Sequence, residues 1–283
     1  MNRATVAGVS VGDGLDTAVV GALNVSPESF YSGSVVVDAD RLLQAAQAMA
    51  RAGAAWLDVG AMSTAPYLEA RIPAAQEADR LHWAIGLLTA KLDLPVSADT
   101  SRALPARAAL EAGARMINDV TGLASDPSLA RLAAEAGAGL VLMASPATSP
   151  APGDPIATVL ASLTVSLGLA RAAGIPEDRI LVDPGIGFFR GAPIDWPEWD
   201  CRVLAGLPAF RAVGRPLYVG VSRKSFIGAL AGVDDPAQRL PGTLAATAAA
   251  VLGGAHVIRA HDVAETLQAV RVAQAIRRAR ETA

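Results

Sequence analysis

Polar and charged side chains recur along this chain directly after short apolar runs, where buried strands would end. The run 180–182 is followed by Asp183 and then by Pro184, Gly185 and Gly187, which stop a strand or a helix from continuing. A carboxylate is thereby held at the rim of a sheet, where it can contact a polar ligand. The residues in such positions are Asn24, Asp58, Asp99, Asn118, Asp183, Lys224, Arg259 and His261.

Each of these residues alone has a simpler interpretation, because Asp and Asn are common in turns and at helix N-termini. For Asp58, and for the nearby Asp119, the structural and functional interpretations both stay open. Turn chemistry is a weaker explanation for the whole set, which predicts a site for a polar ligand.

The set also divides by charge, and the division predicts what kind of ligand would fit. One group lies in the first, seventh and eighth strand–helix units and is expected to form a cationic cluster suited to phosphate: Asn24, Lys224, Arg259 and His261. The other group supplies acceptors that suit an N–H-rich, guanidine-like ring edge: Asp99, Asn118 and Asp183. A ring with a phosphate-bearing tail would match both groups.

The elements that must position these residues alternate between apolar strands and helices. We predict strands at 18–25, 55–59, 96–98, 115–117, 140–143, 180–182, 217–221 and 256–259, each followed by a helix. Continuous apolar strands alternating with helices favour a parallel sheet covered on both faces, and eight units favour an α/β fold of the (β/α)8 TIM barrel type. An open doubly wound sheet is the alternative. No long change in composition interrupts the pattern, so we predict a single barrel domain over residues 1–283.

Composition limits the function classes. The formal net charge is −3 with no basic run, which argues against nucleic acid as a partner. No secretory signal is evident, and the apolar run 244–253 is too short to cross a bilayer, so no membrane association is expected. Cys201 is the single cysteine, which fits a reducing cytoplasm. His82 and His256 lack the neighbours of a metal site, and we interpret both as structural or surface residues.

Seven motifs, taken in order, resemble the dihydropteroate synthase family of pterin-binding barrels. They are LNVSPESF (23–30), DVGAMSTAP (58–66), SADT (97–100), INDVTGL (117–123), DPGIGF (183–188), VGVSRKSF (219–226) and RAHDV (259–263). The resemblance covers nearly the whole chain, and the order and spacing of the motifs make it specific. The SRKS motif favours a synthase over the methyltransferases of the same superfamily.

The resemblance implies condensation of 6-hydroxymethyl-7,8-dihydropterin pyrophosphate with an aryl amine, p-aminobenzoate or a related aminobenzene, with release of pyrophosphate. It implies a homodimer that uses Mg²⁺, and the single cysteine leads us to expect a cytoplasmic protein. The residues that it implies as catalytic are Lys224, Asp99, Arg259 and His261. The implied substrate-binding residues are Asn118, Asp183, Thr64, Ser222 and Arg223, and the implied Mg²⁺ ligand is Asn24.

Several positions depart from the family pattern. Ala65 stands where the family usually has an arginine, and Met143-Ala144-Ser145 stands where Met-His is common. Glu28 replaces the usual Asp, and the Asp expected near Ser32 is missing.

These departures lie on the acceptor side and leave three alternatives open. One is the same chemistry with ribofuranosylaminobenzene 5'-phosphate in tetrahydromethanopterin biosynthesis. The others are a pterin-binding methyltransferase and a non-catalytic pterin-binding paralogue. Arg71 could replace the missing charge at Ala65, although an exposed Arg at a helix start is the commoner case.

Overall fold

A computed structural model of the protein describes residues 1–26, 38–62, 72–149 and 153–281. In this part of the chain a hairpin, β1 (Arg3–Val6) and β2 (Val9–Gly12), precedes eight parallel strands. The parallel strands are β3 (Ala18–Asn24), β4 (Trp56–Gly60), β5 (Val96–Asp99), β6 (Met116–Asp119), β7 (Gly139–Met143), β8 (Ile180–Asp183), β9 (Tyr218–Gly220) and β10 (Val257–Ala260).

The eight parallel strands close into a barrel. Each strand from β3 to β8 pairs with the next, and β10 lies between β3 and β9. A parallel bridge between Val182 and Leu217 joins β8 to the β9 side, with the Val182 N–H donating to the Pro216 carbonyl at 3.0 Å. The predicted (β/α)8 barrel is therefore confirmed, and the open doubly wound sheet is excluded.

Nine α-helices follow the parallel strands among the described residues. They are α1 (Ala39–Ala52), α2 (Ala74–Lys91), α3 (Ala103–Glu111), α4 (Pro127–Ala136), α5 (Pro155–Ala172), α6 (Trp196–Ala205), α7 (Ser225–Ala231), α8 (Leu240–Leu252) and α9 (Val263–Glu281). Asp38 caps α1 through the backbone N–H groups of Asp40 and Arg41, as its sequence position predicts. The helix α6 ends at Ala205 and gives way to a 3₁₀ helix, Leu207–Val213. Gly206 and Pro208 disfavour an uninterrupted α-helix at this point.

α5 is long and apolar enough, by length and composition, to cross a membrane. Its Val159 and Leu163 are fully buried and pack with the side chains that surround the barrel, whereas Val165 and Leu169 are 47% and 40% exposed. This is the arrangement of an outer helix that packs one face on the barrel.

The amino-terminal hairpin closes one end of the barrel and was not predicted. Ala4, Val6 and Val11 pack on a layer of barrel side chains, Val20, Trp56, Met116, Val141, Leu181, Tyr218 and Val257. The apolar pattern of the hairpin is too short to predict these strands from the sequence. Its apolar side chains are explained by the barrel floor that they cover.

Polar residues occupy the next layer of the barrel interior. Side chains alternate between the two faces of a strand, so the residue two positions beyond an inward-facing residue also faces inward. Two positions beyond Trp56, Met116, Leu181 and Val257 stand Asp58, Asn118, Asp183 and Arg259. The apolar floor therefore supports a polar layer, and this layer leads to the carboxyl ends of the strands.

Candidate active site

Asp58 on β4 is hydrogen-bonded to residues of three other strands in the polar layer. Its side chain is fully buried and accepts hydrogen bonds from Arg259 Nε at 2.6 Å, Ser97 Oγ at 2.5 Å and Asn118 Nδ2 at 3.0 Å. These contacts decide the question that the sequence left open, because Asp58 lies inside the barrel and not in a turn. Asp119 is the opposite case. Its carboxylate accepts from the backbone N–H groups of Thr121 at 2.9 Å and Leu123 at 2.6 Å, which makes it a turn residue.

Arg259 links Asp58 to Asp99 at the mouth of the barrel. Its Nη2 donates to Asp99 Oδ2 at 3.0 Å. The other oxygen of that carboxylate, Oδ1, is buried and has no hydrogen-bond partner among the described residues. A buried acceptor without a donor is costly, so Asp99 is prepared to accept a hydrogen bond from a ligand.

Asn24 and Asp99 flank Gly60 at one level of three neighbouring strands. A Cβ atom on Gly60 would lie 3.2 Å from Asn24 Oδ1 and 3.6 Å from Asp99 Oδ2. Glycine therefore keeps the space between the two side chains open.

The environment of Asp99 raises the pKa of its carboxyl group to about 7. Burial is the main cause, repulsion from Asp58, Glu77 and Asp119 adds to it, and attraction to Arg259 opposes it. The group is therefore close to the boundary between its neutral and charged forms at neutral pH. A cationic or N–H-rich ligand would favour the carboxylate.

Asp183 and Lys224 face each other from β8 and the start of α7. Asp183 is buried, and its Oδ1 accepts from the Gly185 N–H at 2.7 Å. Lys224 Nζ donates to the Ile186 carbonyl and lies 5.1 Å from the centroid of the Phe188 ring. Burial raises the pKa of Asp183, and the positive charges of Lys224 and Arg259 oppose that shift.

Ser222 and His261 are hydrogen-bonded to each other just beyond the ends of β9 and β10. Their Oγ and Nδ1 atoms are 2.9 Å apart, and the His261 backbone N–H donates to the same Oγ at 3.2 Å.

The pKa of His261 is lowered to about 3, by burial first and then by Arg259, Arg223 and Lys224. His261 is therefore neutral at pH 7, and the expected positive charge of this residue was wrong. Asn24 is uncharged as well, so Lys224 and Arg259 supply the positive charge of the predicted cluster.

Arg223 acts on His261 through its charge, but its side chain is engaged in contacts within the fold. It is buried, with φ 55°, and its guanidinium pairs with Asp262 at 2.8 and 2.9 Å while also donating to the Pro236 and Ala237 carbonyls. These contacts hold the turn after β9 in place, and substrate binding by Arg223 stays a prediction. The prediction for Thr64 lies outside the described residues, as do Glu28, Ser32, Ala65 and Arg71.

Sequence reasoning left the role of Asp58 undecided and did not select Ser97 for the site. The available signal was the alternation of side chains, because both residues lie on strands whose inward positions turn polar. No group of three His, Cys, Asp or Glu side chains is placed to hold a metal within the described ranges. Asn24 therefore offers one oxygen of a site that needs further ligands.

Comparison with known proteins places this site in a family. Residues 20–261 match the model of the pterin binding enzymes. The chain belongs to that family. The dihydropteroate synthase of Synechocystis sp. is 37% identical over 269 residues, covering 93% of this chain and 91% of the relative. The predicted resemblance is thus confirmed, and the protein is a transferase of the dihydropteroate synthase type.

Solved structures of pterin binding enzymes carry the same fold. The Coxiella burnetii dihydropteroate synthase in complex with pteroic acid has a TM-score of 0.85 and 33% identity, covering 98% of this chain and 99% of its own. The Xanthomonas albilineans dihydropteroate synthase with 4-aminobenzoic acid has a TM-score of 0.84 and 36% identity, covering 97% of each chain. The tetrahydromethanopterin, methyltransferase and non-catalytic alternatives are not favoured by these relatives.

Replacing Asp58 with asparagine should destabilise the barrel. Asp58→Asn keeps the shape of the side chain but leaves Arg259 with less compensation for its charge in a mostly buried position. We expect the free energy of unfolding to fall by about 3 kcal/mol, measured by urea denaturation. Asp16→Asn is the control, because that carboxylate is mostly exposed and its pair with Arg278 lies at the surface, where removal should cost less than about 1 kcal/mol. Equal losses in the two variants would contradict the central role of Asp58.

The protonation of His261 can be followed directly, because the chain has three histidines. In the unliganded protein labelled with ¹⁵N-histidine, we expect the imidazole signal that His261→Asn removes to remain that of a neutral ring from pH 8 down to pH 5. The depressed pKa also means that stability contributed by the neutral ring is lost as the pH falls from about 6.5 towards 3. Protonation of His261 with a midpoint near 6.5 would show that the surrounding cations do not act on it as the structure requires.

Proposed function

We propose that the protein condenses 6-hydroxymethyl-7,8-dihydropterin pyrophosphate with p-aminobenzoate and releases pyrophosphate. The observation that carries the proposal is the convergence of three buried acceptors, Asp99, Asn118 and Asp183, with the cations Lys224 and Arg259 in one barrel mouth. Pteroic acid and 4-aminobenzoic acid, each bound to a relative in a solved structure, have the chemistry of such a product and such an acceptor.

The acceptors suit the pterin half of the substrate. A pterin ring presents a guanidine-like edge, and carboxylates bind such an edge through paired, charge-assisted hydrogen bonds. Asp183 and the unpartnered Oδ1 of Asp99 supply carboxylate oxygens, and Asn118 is held in place by its bond to Asp58. Binding would shift Asp99 to its charged form, which strengthens the contact.

The cations suit the pyrophosphate half. In the reaction the acceptor amine forms a C–N bond to the pterin methylene carbon, the C–O bond to pyrophosphate breaks, and the amine loses a proton. Negative charge grows on the leaving oxygen, so fixed donors aimed at it lower the barrier. Arg259 and Lys224 carry positive charge, and the ring of His261 beside them is neutral.

We also propose that Mg²⁺ accompanies the pyrophosphate, with Asn24 as its ligand from the protein. Mg²⁺ in such sites commonly keeps several waters and binds through phosphate oxygens and one or two protein groups. Gly60 supports the proposal, because it places no side chain between Asn24 Oδ1 and Asp99 Oδ2. The bound ion would supply charge neutralisation for the leaving group.

Pyrophosphate release tests the proposed reaction. With the pterin pyrophosphate and Mg²⁺ present, we expect turnover with p-aminobenzoate and none when a chelator removes the metal. Turnover only with ribofuranosylaminobenzene 5'-phosphate would place the enzyme in the tetrahydromethanopterin branch. Release with neither amine, while pterin still binds, would support the methyltransferase or the non-catalytic interpretation.

Asp183→Asn should weaken pterin binding, because the amide loses the charge that strengthens hydrogen bonds to the ring edge. We expect the dissociation constant, measured by calorimetry, to rise roughly tenfold or more. Asp178→Asn is a matched control, since Asp178 is exposed and lies before the opposite end of β8. Unchanged affinity in Asp183→Asn would remove this residue from the pterin site.

We propose in addition that the protein is a cytoplasmic homodimer. A groove of about 380 Å³ lies between α8 and α9, and the apolar side chains Val272 and Ile276 beside it are 62% and 44% exposed. These features suit a second copy of the chain, and the single cysteine fits a reducing compartment.

Light scattering should give twice the chain mass of 28.8 kDa. Val272→Asp should lower this mass to that of one chain, because burial of the new charge in an interface would be unfavourable. Leu104→Asp is the control, since Leu104 is 52% exposed but lies on α3, away from the groove. A monomeric mass for the unaltered protein would end the homodimer proposal.

A further inference from the structure

Asp200 is a buried carboxylate that the reaction described above does not use. It lies on α6, outside the barrel, and only 2% of its surface is exposed. Its Oδ1 accepts from the Gly187 N–H at 2.7 Å, while its Oδ2 is buried and has no hydrogen-bond partner among the described residues. A carboxylate in such a place is unfavourable unless a nearby charge compensates it.

The hydrogen bond from Gly187 connects Asp200 to Lys224. Gly187 follows Ile186, whose carbonyl accepts the hydrogen bond from Lys224 Nζ. Gly187 has φ 89°, and a Cβ atom on it would lie 3.2 Å from Lys224 Cδ. The Lys224 side chain thus runs along the same turn to which Asp200 is hydrogen-bonded.

Four charged groups act on Lys224, each from a different part of the fold. Asp183 on β8 and Asp200 on α6 are negative, whereas Arg259 on β10 and Arg190 in the turn after β8 are positive. Burial lowers the pKa of Lys224, the two carboxylates oppose that shift, and the two arginines add to it. Burial in turn raises the pKa of Asp200, and the Gly187 N–H, Lys224 and Arg190 oppose that shift.

We propose that Asp200 is a positioning residue for Lys224: it fixes the turn to which the lysine is bonded and supplies one of the two negative charges that keep the lysine protonated. Its consequence for catalysis rests on the proposed function, because it requires Lys224 to contact the pterin pyrophosphate. The effect of Asp200 on the position and the charge of Lys224 does not rest on the proposed function.

The effect of Asp200 on the charge of Lys224 can be measured directly, because Lys91 and Lys224 are the two lysines of the chain. In protein labelled with ¹³C and ¹⁵N lysine, Lys91→Arg leaves a signal from Lys224 alone, which can be titrated without ligand. In this background we expect Asp200→Asn to lower the pKa of Lys224 by roughly one unit, since a nearby opposite charge is lost. Glu198→Gln is the matched control, because Glu198 is exposed on the same helix and pairs with Arg202. An unchanged Lys224 titration in Asp200→Asn would overturn the proposal.

Kinetics test the consequence for the substrate. We expect Asp200→Asn to raise the KM for the pterin pyrophosphate several-fold, to leave the KM for p-aminobenzoate unchanged, and to move the alkaline limb of pterin binding to lower pH. Asp200→Ser, which shortens the acceptor for Gly187, should raise the pterin KM as well and provides a second variant if the amide folds poorly. A changed Lys224 titration with an unchanged pterin KM would overturn the role of Lys224 in pterin binding, while absence of all turnover in the parent enzyme would overturn the proposed reaction.

Discussion

The ion pair between Asp58 and Arg259 inside the barrel is the interaction on which the site depends. A charged pair in a mostly buried position is stable only when both partners are hydrogen-bonded as well. Asp58 meets that condition with Ser97 and Asn118, and Arg259 meets it with Asp99. Four strands, β4, β5, β6 and β10, are therefore joined by one network, directly above an apolar floor that the amino-terminal hairpin closes.

Burial and the surrounding charges together set the protonation state of the groups at the barrel mouth. Burial raises the pKa of Asp99 to about 7, and repulsion from neighbouring carboxylates adds to this shift. Burial also lowers the pKa of His261 to about 3, and the positive charges of Arg259, Arg223 and Lys224 add to this shift. The unliganded site thus combines a carboxyl group that readily gains charge with a histidine that stays neutral. This combination suits a ligand that brings a guanidine-like edge to one side and phosphate oxygens to the other.

Buried charges outside the barrel hold the turns that present these groups. Glu77 on α2 accepts from Thr100 at 2.5 Å and pairs with Arg102 after β5. Asp200 on α6 holds the turn after β8, and the pair of Arg223 with Asp262 holds the turn after β9. The first two turns follow strands that end in a residue of the site, Asp99 and Asp183, and the third turn carries Ser222 and Lys224. Fixed turns at the strand ends allow side chains to be positioned without reorganisation when the ligand binds.

The sequence by itself determined the barrel, because apolar strands alternating with helices leave few other ways to bury both faces of a parallel sheet. It also determined most of the site, since polar residues that end such strands must meet at one rim. It was insufficient for Asp58, which has the same local pattern as the turn residue Asp119, and for Arg223, which stands beside Lys224 but points into the fold. Only the tertiary structure decided these cases, because the partners of a buried charge come from distant strands and helices.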